Sequence, residues 1–195
     1  MASGDKSSRA KSLRKTPLID GTIDSVSMQS LCRHPAMKLR RSNEAEPVIG
    51  LRLIEEAIKA SRFRVHLDAG HGIQGEWGAT CGHEIIQVVL TKWIDLAGVV
   101  RTPAASTLPN SLKRKLQNAG FSDTGDKLIV RLAVAALHVH KITVFHIGTT
   151  DSDFWDPRDP SRRGNSSAPV ACALQEHNIR PTIFKELVVL LTQAN

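Results

Sequence analysis

The chain has 195 residues, of which 41% are hydrophobic, so it is long enough to build a core and too apolar to be a disordered protein. Its three cysteines are widely spaced, which excludes a disulfide framework or a CxxC zinc ribbon and favours the reducing cytoplasm. The formal net charge of +7 favours a polyanionic partner, because nucleic-acid affinity depends largely on neutralising phosphates.

The N-terminal part of the chain is basic and polar. Residues 1 to 16 are rich in Ser, Lys and Arg and are predicted to form a flexible basic arm, followed by a single α/β domain over residues 17 to 195. Because no apolar segment follows the basic residues, we expect no secretory signal. No apolar run reaches the roughly 18 residues of a membrane span, so no membrane partner is expected. Residues 33 to 46 are predicted to be a loop or a poorly ordered helix.

From Pro47 onward, the apolar pattern alternates between helical and strand periodicity. The predicted helices cover residues 49 to 58, 83 to 96, 112 to 119, 126 to 137, 168 to 177 and 184 to 191. The predicted strands cover residues 63 to 68, 142 to 147 and 179 to 183, and residues 69 to 75 are predicted to be a glycine-rich turn. This alternation predicts a three-layer α/β/α sandwich with a mostly parallel central sheet.

Acidic residues occur where these elements meet the carboxyl edge of the predicted sheet, which is where ligands bind in open α/β sheets. They are Asp20 at the end of the first predicted strand, Glu76 ahead of a helix, Asp126 at a helix start, and Asp151 and Asp153 after a strand. A cluster of carboxylates is costly unless cations neutralise it. Oxygen ligands suit Mg²⁺ or Mn²⁺, so the sequence predicts a site for one of these ions.

The order of these acidic segments resembles that of PIN-like nuclease domains. The matching segments are Pro17-Leu18-Ile19-Asp20, residues 67 to 77 with Glu76, residues 125 to 130 with Asp126, and Thr150-Asp151-Ser152-Asp153-Phe154. The resemblance covers about residues 17 to 185. It implies a PIN-like fold and phosphodiester hydrolysis in which Asp20, Glu76, Asp126 and Asp151 are catalytic ligands of Mg²⁺ or Mn²⁺, with Asp153 in support.

The same resemblance implies a cytoplasmic, metal-dependent endoribonuclease that acts on RNA rather than DNA. Small stand-alone members of the family are mostly ribonucleases, often toxins of toxin–antitoxin pairs. An antitoxin or another protein partner and a homo-oligomer therefore stay open. Six basic residues are predicted to steer the polyanion, with a merely solvated surface as the alternative: Lys113, Arg114, Lys115, Arg158, Arg162 and Arg163.

Several acidic residues have structural alternatives to a role in the site. Asp20 or Asp126 is also suited to cap a helix, and Asp153 to form a turn. Asp68, which competes with Glu76 as second ligand, is favoured as a turn residue because it ends a strand. Four more acids are interpreted as surface charges, namely Asp95, Asp123, Asp156 and Asp159.

Other interpretations of the sequence compete with hydrolysis at a metal site. A non-catalytic PIN-like module that binds nucleic acid or protein is the main alternative, and an intact set of metal ligands distinguishes the two. A phosphatase-like hydrolase needs a DxD motif at the first strand, which Asp20-Gly21-Thr22 does not supply. A zinc site is disfavoured because the nearby His and Cys residues match no standard ligand spacing: His66, His71, Cys81 and His83.

Overall fold

A computed structural model describes residues 18–32 and 46–192. The strands are β1 (Ile19–Ile23), β2 (Phe63–Asp68), β3 (Val99–Thr102), β4 (Phe145–Thr149) and β5 (Ile179–Ile183). The helices are α1 (Ser25–Cys32), α2 (Glu46–Lys59), α3 (Gly72–Cys81), α4 (His83–Asp95), α5 (Asn110–Asn118), α6 (Thr124–Val139), α7 (Pro169–Gln175) and α8 (Phe184–Thr192). The predicted basic arm and residues 33 to 45 of the predicted loop lie outside the described residues.

The five strands pair in parallel in the order β3-β2-β1-β4-β5. Helix α6 contacts β2, β3, β4 and β5, and α7 packs on β5 and α5. Helices α2, α4 and α8 contact β2, β3 and β4–β5 respectively, and α2 also packs against α8. The predicted α/β/α sandwich is confirmed, and within the described residues the sheet is entirely parallel.

Apolar residues fill both faces of the central strands, as expected for a parallel sheet covered by helices. Phe63, Val65 and Leu67 of β2 are buried, as are Phe145 and Ile147 of β4. The predicted strands over residues 63 to 68 and 179 to 183 match β2 and β5. None of the described helices is long and apolar enough to cross a bilayer.

The direction of chain progression reverses between β1 and β4. The chain moves from β1 through β2 to β3 on one side, then returns to form β4 and β5 on the other. In open parallel sheets, the crevice at such a switch point, outside the carboxyl ends of the strands, is where ligands bind. The segments that leave β1 and β4 therefore form the walls of the expected site.

The prediction that the first strand ends at Asp20 is wrong, because β1 continues to Ile23 and Asp20 is its second residue. The Asp20-Gly21 pair is typical of a turn, but Gly21 lies inside the strand. A Cβ atom on Gly21 would lie 2.3 Å from the backbone oxygen of His146 on β4. The glycine therefore allows β1 and β4 to approach each other closely.

Three further differences concern local structure near the carboxyl edge. Helix α1 and the short strand β3 were not predicted. The predicted turn over residues 69 to 75 overlaps the start of α3, so Glu76 lies within a helix rather than ahead of one. Gly72 at that start faces α6, where a Cβ atom would come within 2.5 Å of the Leu128 side chain.

Candidate metal centre

Asp24 occupies the position after β1 that was predicted for Asp20. It precedes α1 and is 1% exposed. Its Oδ1 accepts a hydrogen bond from the Ser27 amide at 2.7 Å, and its Oδ2 accepts one from the Thr149 hydroxyl at 2.5 Å. These bonds cap α1 and tie it to the end of β4. Burial raises the pKa of Asp24 in spite of both bonds, and the charge of Asp151 adds to the increase.

Asp126 lies in the first turn of α6 and is 9% exposed. Burial raises its pKa to about 8, with further increases from the charges of Asp151, Asp123, Asp24 and Asp153. These five causes all raise the pKa, and among the described residues no ion pair includes Asp126. Asp126 is therefore a buried carboxyl group surrounded by like charges without a compensating cation.

The cap of α6 is Asp123, so the alternative in which Asp126 caps a helix is wrong. The Asp123 carboxylate accepts hydrogen bonds from the Gly125 amide at 2.7 Å and the Asp126 amide at 3.1 Å. The interpretation of Asp123 as a surface charge is incomplete, because its charge also raises the pKa values of Asp126 and Glu76.

Asp151 and Asp153 follow β4, as predicted. The Asp151 amide donates to the Thr149 hydroxyl at 2.9 Å, and the Asp151 carboxylate accepts from the Asp153 amide at 3.0 Å. Asp153 is the middle residue of a short 3₁₀ turn, Ser152–Phe154. Burial raises the pKa of Asp153, with added contributions from the charges of Asp151 and Asp123.

Glu76 approaches the same acids from α3. A Cβ atom on Gly125 would lie 2.3 Å from Glu76 Oε1, so the carboxyl group of Glu76 rests against the first turn of α6. Burial raises the pKa of Glu76, and the charges of Asp123 and Asp68 raise it further. Glu76 thus lies at the rim of an acidic cluster that we define as Asp24, Glu76, Asp123, Asp126, Asp151 and Asp153.

Asp68 has a structural role at the end of β2. Its two carboxylate oxygens accept hydrogen bonds from the amides of Gly72 and Ile73, both at 2.8 Å. These amides open α3 and would otherwise lack partners. The turn role favoured for Asp68 agrees with this geometry.

The structure does not bring Asp20 to the acidic cluster. Its carboxylate binds Arg64 at 2.7 and 3.0 Å and His66 at 2.9 Å. Burial opposes the ionisation of Asp20, but the bonds from His66 and Arg64 outweigh it and lower its pKa. Asp20 is therefore already compensated by protein groups and lies apart from the acidic cluster, in which Asp24 is the acid at the end of β1.

Half of the predicted nucleic-acid-binding residues have structural partners. Lys115 pairs with Glu176, Arg162 contacts Asp156 at 3.2 Å, and Arg158 donates to the backbone oxygen of Asn118 at 2.7 Å. The other predicted residues, Lys113, Arg114 and Arg163, are exposed. Two supposed surface charges also have other roles, since Asp156 is buried and Asp159 accepts a hydrogen bond from the Ser161 amide.

Two of the four residues considered for a zinc site, His66 and His71, have separate hydrogen-bond partners. His66 binds Asp20 and His71 contacts Gln74, so these residues do not converge. Burial and the adjacent Cys81 raise the pKa of Cys32 to about 12, which keeps that thiol protonated at neutral pH. Over residues 18–32 and 46–192, no three His, Cys, Asp or Glu side chains are arranged to hold a metal ion. The side chains of the acidic cluster are likewise not in such an arrangement.

Comparisons with family models, curated proteins and solved structures find no match to this chain. The functional interpretation therefore depends on the chemistry of the cluster itself. Its donors are carboxylate oxygens only, which is the ligand type that suits Mg²⁺ and Mn²⁺.

Proposed function

We propose that the chain is a metal-dependent nuclease that hydrolyses phosphodiester bonds, with RNA as its substrate. The observation that carries the proposal is Asp126, a buried carboxyl group among like charges at the switch point of a parallel sheet. Such an arrangement is costly on its own, and a divalent cation removes the cost by replacing a proton. The net charge of +7 and the order of the acidic segments, which resembles PIN-like nucleases, support the same reading.

Asp24, Asp126 and Asp151 are the residues best placed to hold a cation, with Asp153 in support. They come from the ends of β1 and β4 and from the first turn of α6, three segments that meet at one edge of the sheet. When bound, Mg²⁺ or Mn²⁺ supplies charge that attracts a phosphate, lowers the pKa of a water molecule and offsets charge on the leaving oxygen. The carboxylates must shift toward one another to coordinate it, because they do not yet stand in a metal-holding arrangement.

Glu76 is the residue suited to move a proton. It lies at the rim of the cluster, and its pKa is raised above that of an exposed glutamate, toward neutral pH. A general base is most effective when its pKa approaches the working pH. We assign Glu76 the role of accepting a proton from the attacking water, in addition to its predicted role as a ligand.

Several finer assignments belong to the same proposal. A cytoplasmic location follows from the sparse cysteines, all three of which are unpaired. An antitoxin or another protein partner, and a homo-oligomer, remain predictions from the family resemblance. The alternative is a non-catalytic binding module of the same fold, which binds RNA without cleaving it.

The decisive experiment is an assay of mixed RNA with the purified chain. We expect cleavage in Mn²⁺, no cleavage in chelator, and loss of cleavage in Asp126→Asn with the fold retained. Asp95→Asn, an exposed acid at the end of α4, is the matched control and should cleave like the wild type. Cleavage by Asp126→Asn at the wild-type rate would refute the mechanism, and a stable RNA complex without any cleavage would establish the non-catalytic alternative.

A further inference from the structure

A cationic groove lies beside the acidic cluster and is not used by the proposed hydrolysis. It is formed by α5, by one side of α6 and by the segment over residues 103 to 109 that follows β3. Its volume is about 290 Å³. We define this cationic groove by the polar residues Thr107, Lys113, Thr124, Lys127 and Arg131; Leu108, Leu116 and Phe121 also line it.

The cations of the groove are held in place but are not neutralised. The Lys127 ammonium donates to the Ser122 carbonyl at 2.6 Å, and Arg131 Nε donates to the Ala105 carbonyl at 2.5 Å. Lysine carries three donor hydrogens and arginine five, so both keep donors for a ligand. Among the described residues, neither of them forms an ion pair with an acidic side chain, and nor does Lys113.

The groove and the acidic cluster share the first turns of α6. Thr124, Lys127 and Arg131 are spaced by three and four residues, which places them on one side of the helix. Asp126 lies between Thr124 and Lys127 in sequence but is directed inward, where it is buried. The segment over residues 103 to 109 leaves the carboxyl end of β3, so the groove is at the same edge of the sheet as the cluster.

We propose that this cationic groove binds the sugar–phosphate backbone of a single-stranded nucleic acid and leads it to the acidic cluster. Lys127 and Arg131 follow each other along α6 with a rise of about 6 Å, so they can contact successive parts of one strand. The hydroxyls of Thr107 and Thr124 are further donors of the kind that bind phosphates. The delivery of the strand rests on the proposed function, whereas its binding does not.

The shape and composition of the groove determine the kind of strand. A volume of about 290 Å³ lies just below the roughly 300 to 1,000 Å³ of small-ligand pockets, so the groove has room for part of one strand and does not enclose a duplex. The aromatic residue in its lining, Phe121, is buried and packs edge to face against Phe154, so it offers no exposed face for a base. Binding through phosphates without base stacking predicts little sequence preference.

The test is fluorescence anisotropy with a labelled single-stranded RNA oligonucleotide, its DNA equivalent and its RNA duplex, all in chelator so that no cleavage occurs. We expect Lys113→Gln combined with Lys127→Gln to lower single-strand affinity by about tenfold or more at low salt. The plot of log K against log salt should also become less steep by about 1.4, because the double variant loses two phosphate contacts and each contributes roughly 0.7 for a single strand. We expect single-stranded RNA and DNA to bind alike and the duplex to bind more weakly.

Controls keep the result interpretable. Arg52→Gln removes one positive charge from an exposed position on α2, a helix that does not line the groove, and should keep the wild-type slope. Lys127→Gln removes the hydrogen bond to Ser122, so its melting temperature is measured alongside. Lys113→Gln alone, at an exposed position, tests the groove if the double variant does not fold.

The outcomes separate this inference from the proposed function. Wild-type affinity and slope in the Lys113 and Lys127 variants, or an equal loss in Arg52→Gln, would overturn the groove. Tighter binding of the duplex than of the single strand would also overturn it. Groove-dependent binding without any Mn²⁺-dependent cleavage would instead refute the proposed function and would still support strand binding by the groove.

Discussion

Asp20 and Asp24 lie four residues apart on one strand and its exit, in opposite electrostatic surroundings. Asp20 binds Arg64 and His66, which lower its pKa against the effect of burial. Asp24 has hydrogen bonds but no cation among the described residues, and burial and Asp151 raise its pKa. Within the metal-site proposal, the first is a stabilising residue and the second a ligand.

Asparagine substitutions distinguish these roles. Asn caps helices about as well as Asp, so Asp24→Asn should keep α1 stable while removing the charge, and we expect loss of Mn²⁺-dependent cleavage. Asp20→Asn should leave cleavage within a few-fold of wild type but lower the free energy of unfolding by roughly 1.5 to 3 kcal/mol, the usual value of hydrogen bonds to charged groups. Urea denaturation and the RNA assay measure both effects. An active Asp24→Asn with an inactive, stable Asp20→Asn would restore the original prediction.

Glu76 and Asp68 differ in the same way. Asp68 has both oxygens bound by backbone amides, whereas the carboxyl group of Glu76 is bound by no donor in the described part of the chain. We expect Glu76→Gln to lower the cleavage rate at saturating Mn²⁺ by at least roughly tenfold, or about 1.4 kcal/mol in the barrier. Asp68→Asn should affect stability more than rate. A silent Glu76→Gln together with an inactive Asp68→Asn would transfer the role to Asp68.

At the scale of elements, the first turn of α6 positions the cluster. Gly125 has no side chain, and the carboxyl group of Glu76 occupies the space that a Cβ atom would need. The backbone there is helical, so the glycine is not required by its conformation. Its observed role is to let a carboxyl group from α3 approach α6.

Gly125→Ala therefore tests the position of Glu76 without removing it. Alanine is favoured over glycine in a helix by roughly 0.5 to 1 kcal/mol, and the displaced group is the flexible end of a side chain. We expect unchanged or slightly higher stability in thermal melts together with a several-fold lower cleavage rate. In the Glu76→Gln background, the same substitution should have little further effect on rate. Equal rate losses in both backgrounds would show that Gly125 acts independently of Glu76.

The elements with strong periodicity were predictable from sequence, and those set by local contacts were not. β2, β5 and α4 follow alternating or helical apolar patterns closely. The end of β1 was misplaced because Gly21 is typical of a turn, and only its distance to His146 explains a glycine within the strand. Asp24 was missed as a consequence, since the acid at a strand end is recognisable only once that end is known.

The candidate site was predictable to the extent that it follows the order of the elements. Asp126, Asp151 and Asp153 were assigned to the carboxyl edge, and they lie together there. Partners of surface residues depend on long-range contacts that sequence patterns do not reveal. Lys115 and Arg162 were therefore predicted to bind nucleic acid, although each forms an ion pair with an acidic side chain. Lys127 and Arg131 were overlooked because they lie within an apolar helical pattern.

For the whole molecule, the cluster couples folding to pH and to cations. The pKa of Asp126 is raised from 3.8 to about 8 in the folded chain, so between these values the folded state holds a proton that the unfolded state has released. Stability contributed by this group is therefore lost as pH rises from about 4 to about 8. The raised pKa values of Asp24, Glu76 and Asp153 act in the same direction.

The partly buried His146 acts in the opposite direction. Burial lowers the pKa of His146 below its ordinary value of 6.5, and the charge of Arg180 adds to the decrease. The unfolded state then binds the extra proton, so this histidine increases stability as pH rises toward 6.5. Asp20, whose pKa is lowered, contributes stability that is constant above its ordinary value of 3.8 and is lost only as the pH falls below that value. These contributions are the same in the wild type and in Asp126→Asn, so they cancel in the difference between the two stabilities.

We expect that difference to grow with pH when melting temperatures are measured in chelator between pH 5 and pH 8. Asp126→Asn lacks the group that loses its proton, so it should exceed the wild type at pH 8 by at least about 1 kcal/mol, or roughly 2 to 4 °C for a chain of this size. Asp95→Asn should follow the wild type throughout. Mn²⁺ should stabilise the wild type most at high pH, because the cation takes the place of the proton, and should affect Asp126→Asn less. A difference between wild type and Asp126→Asn that does not change with pH would mean that Asp126 is ionised and compensated in the folded chain, and the electrostatic argument for a cation site would fail.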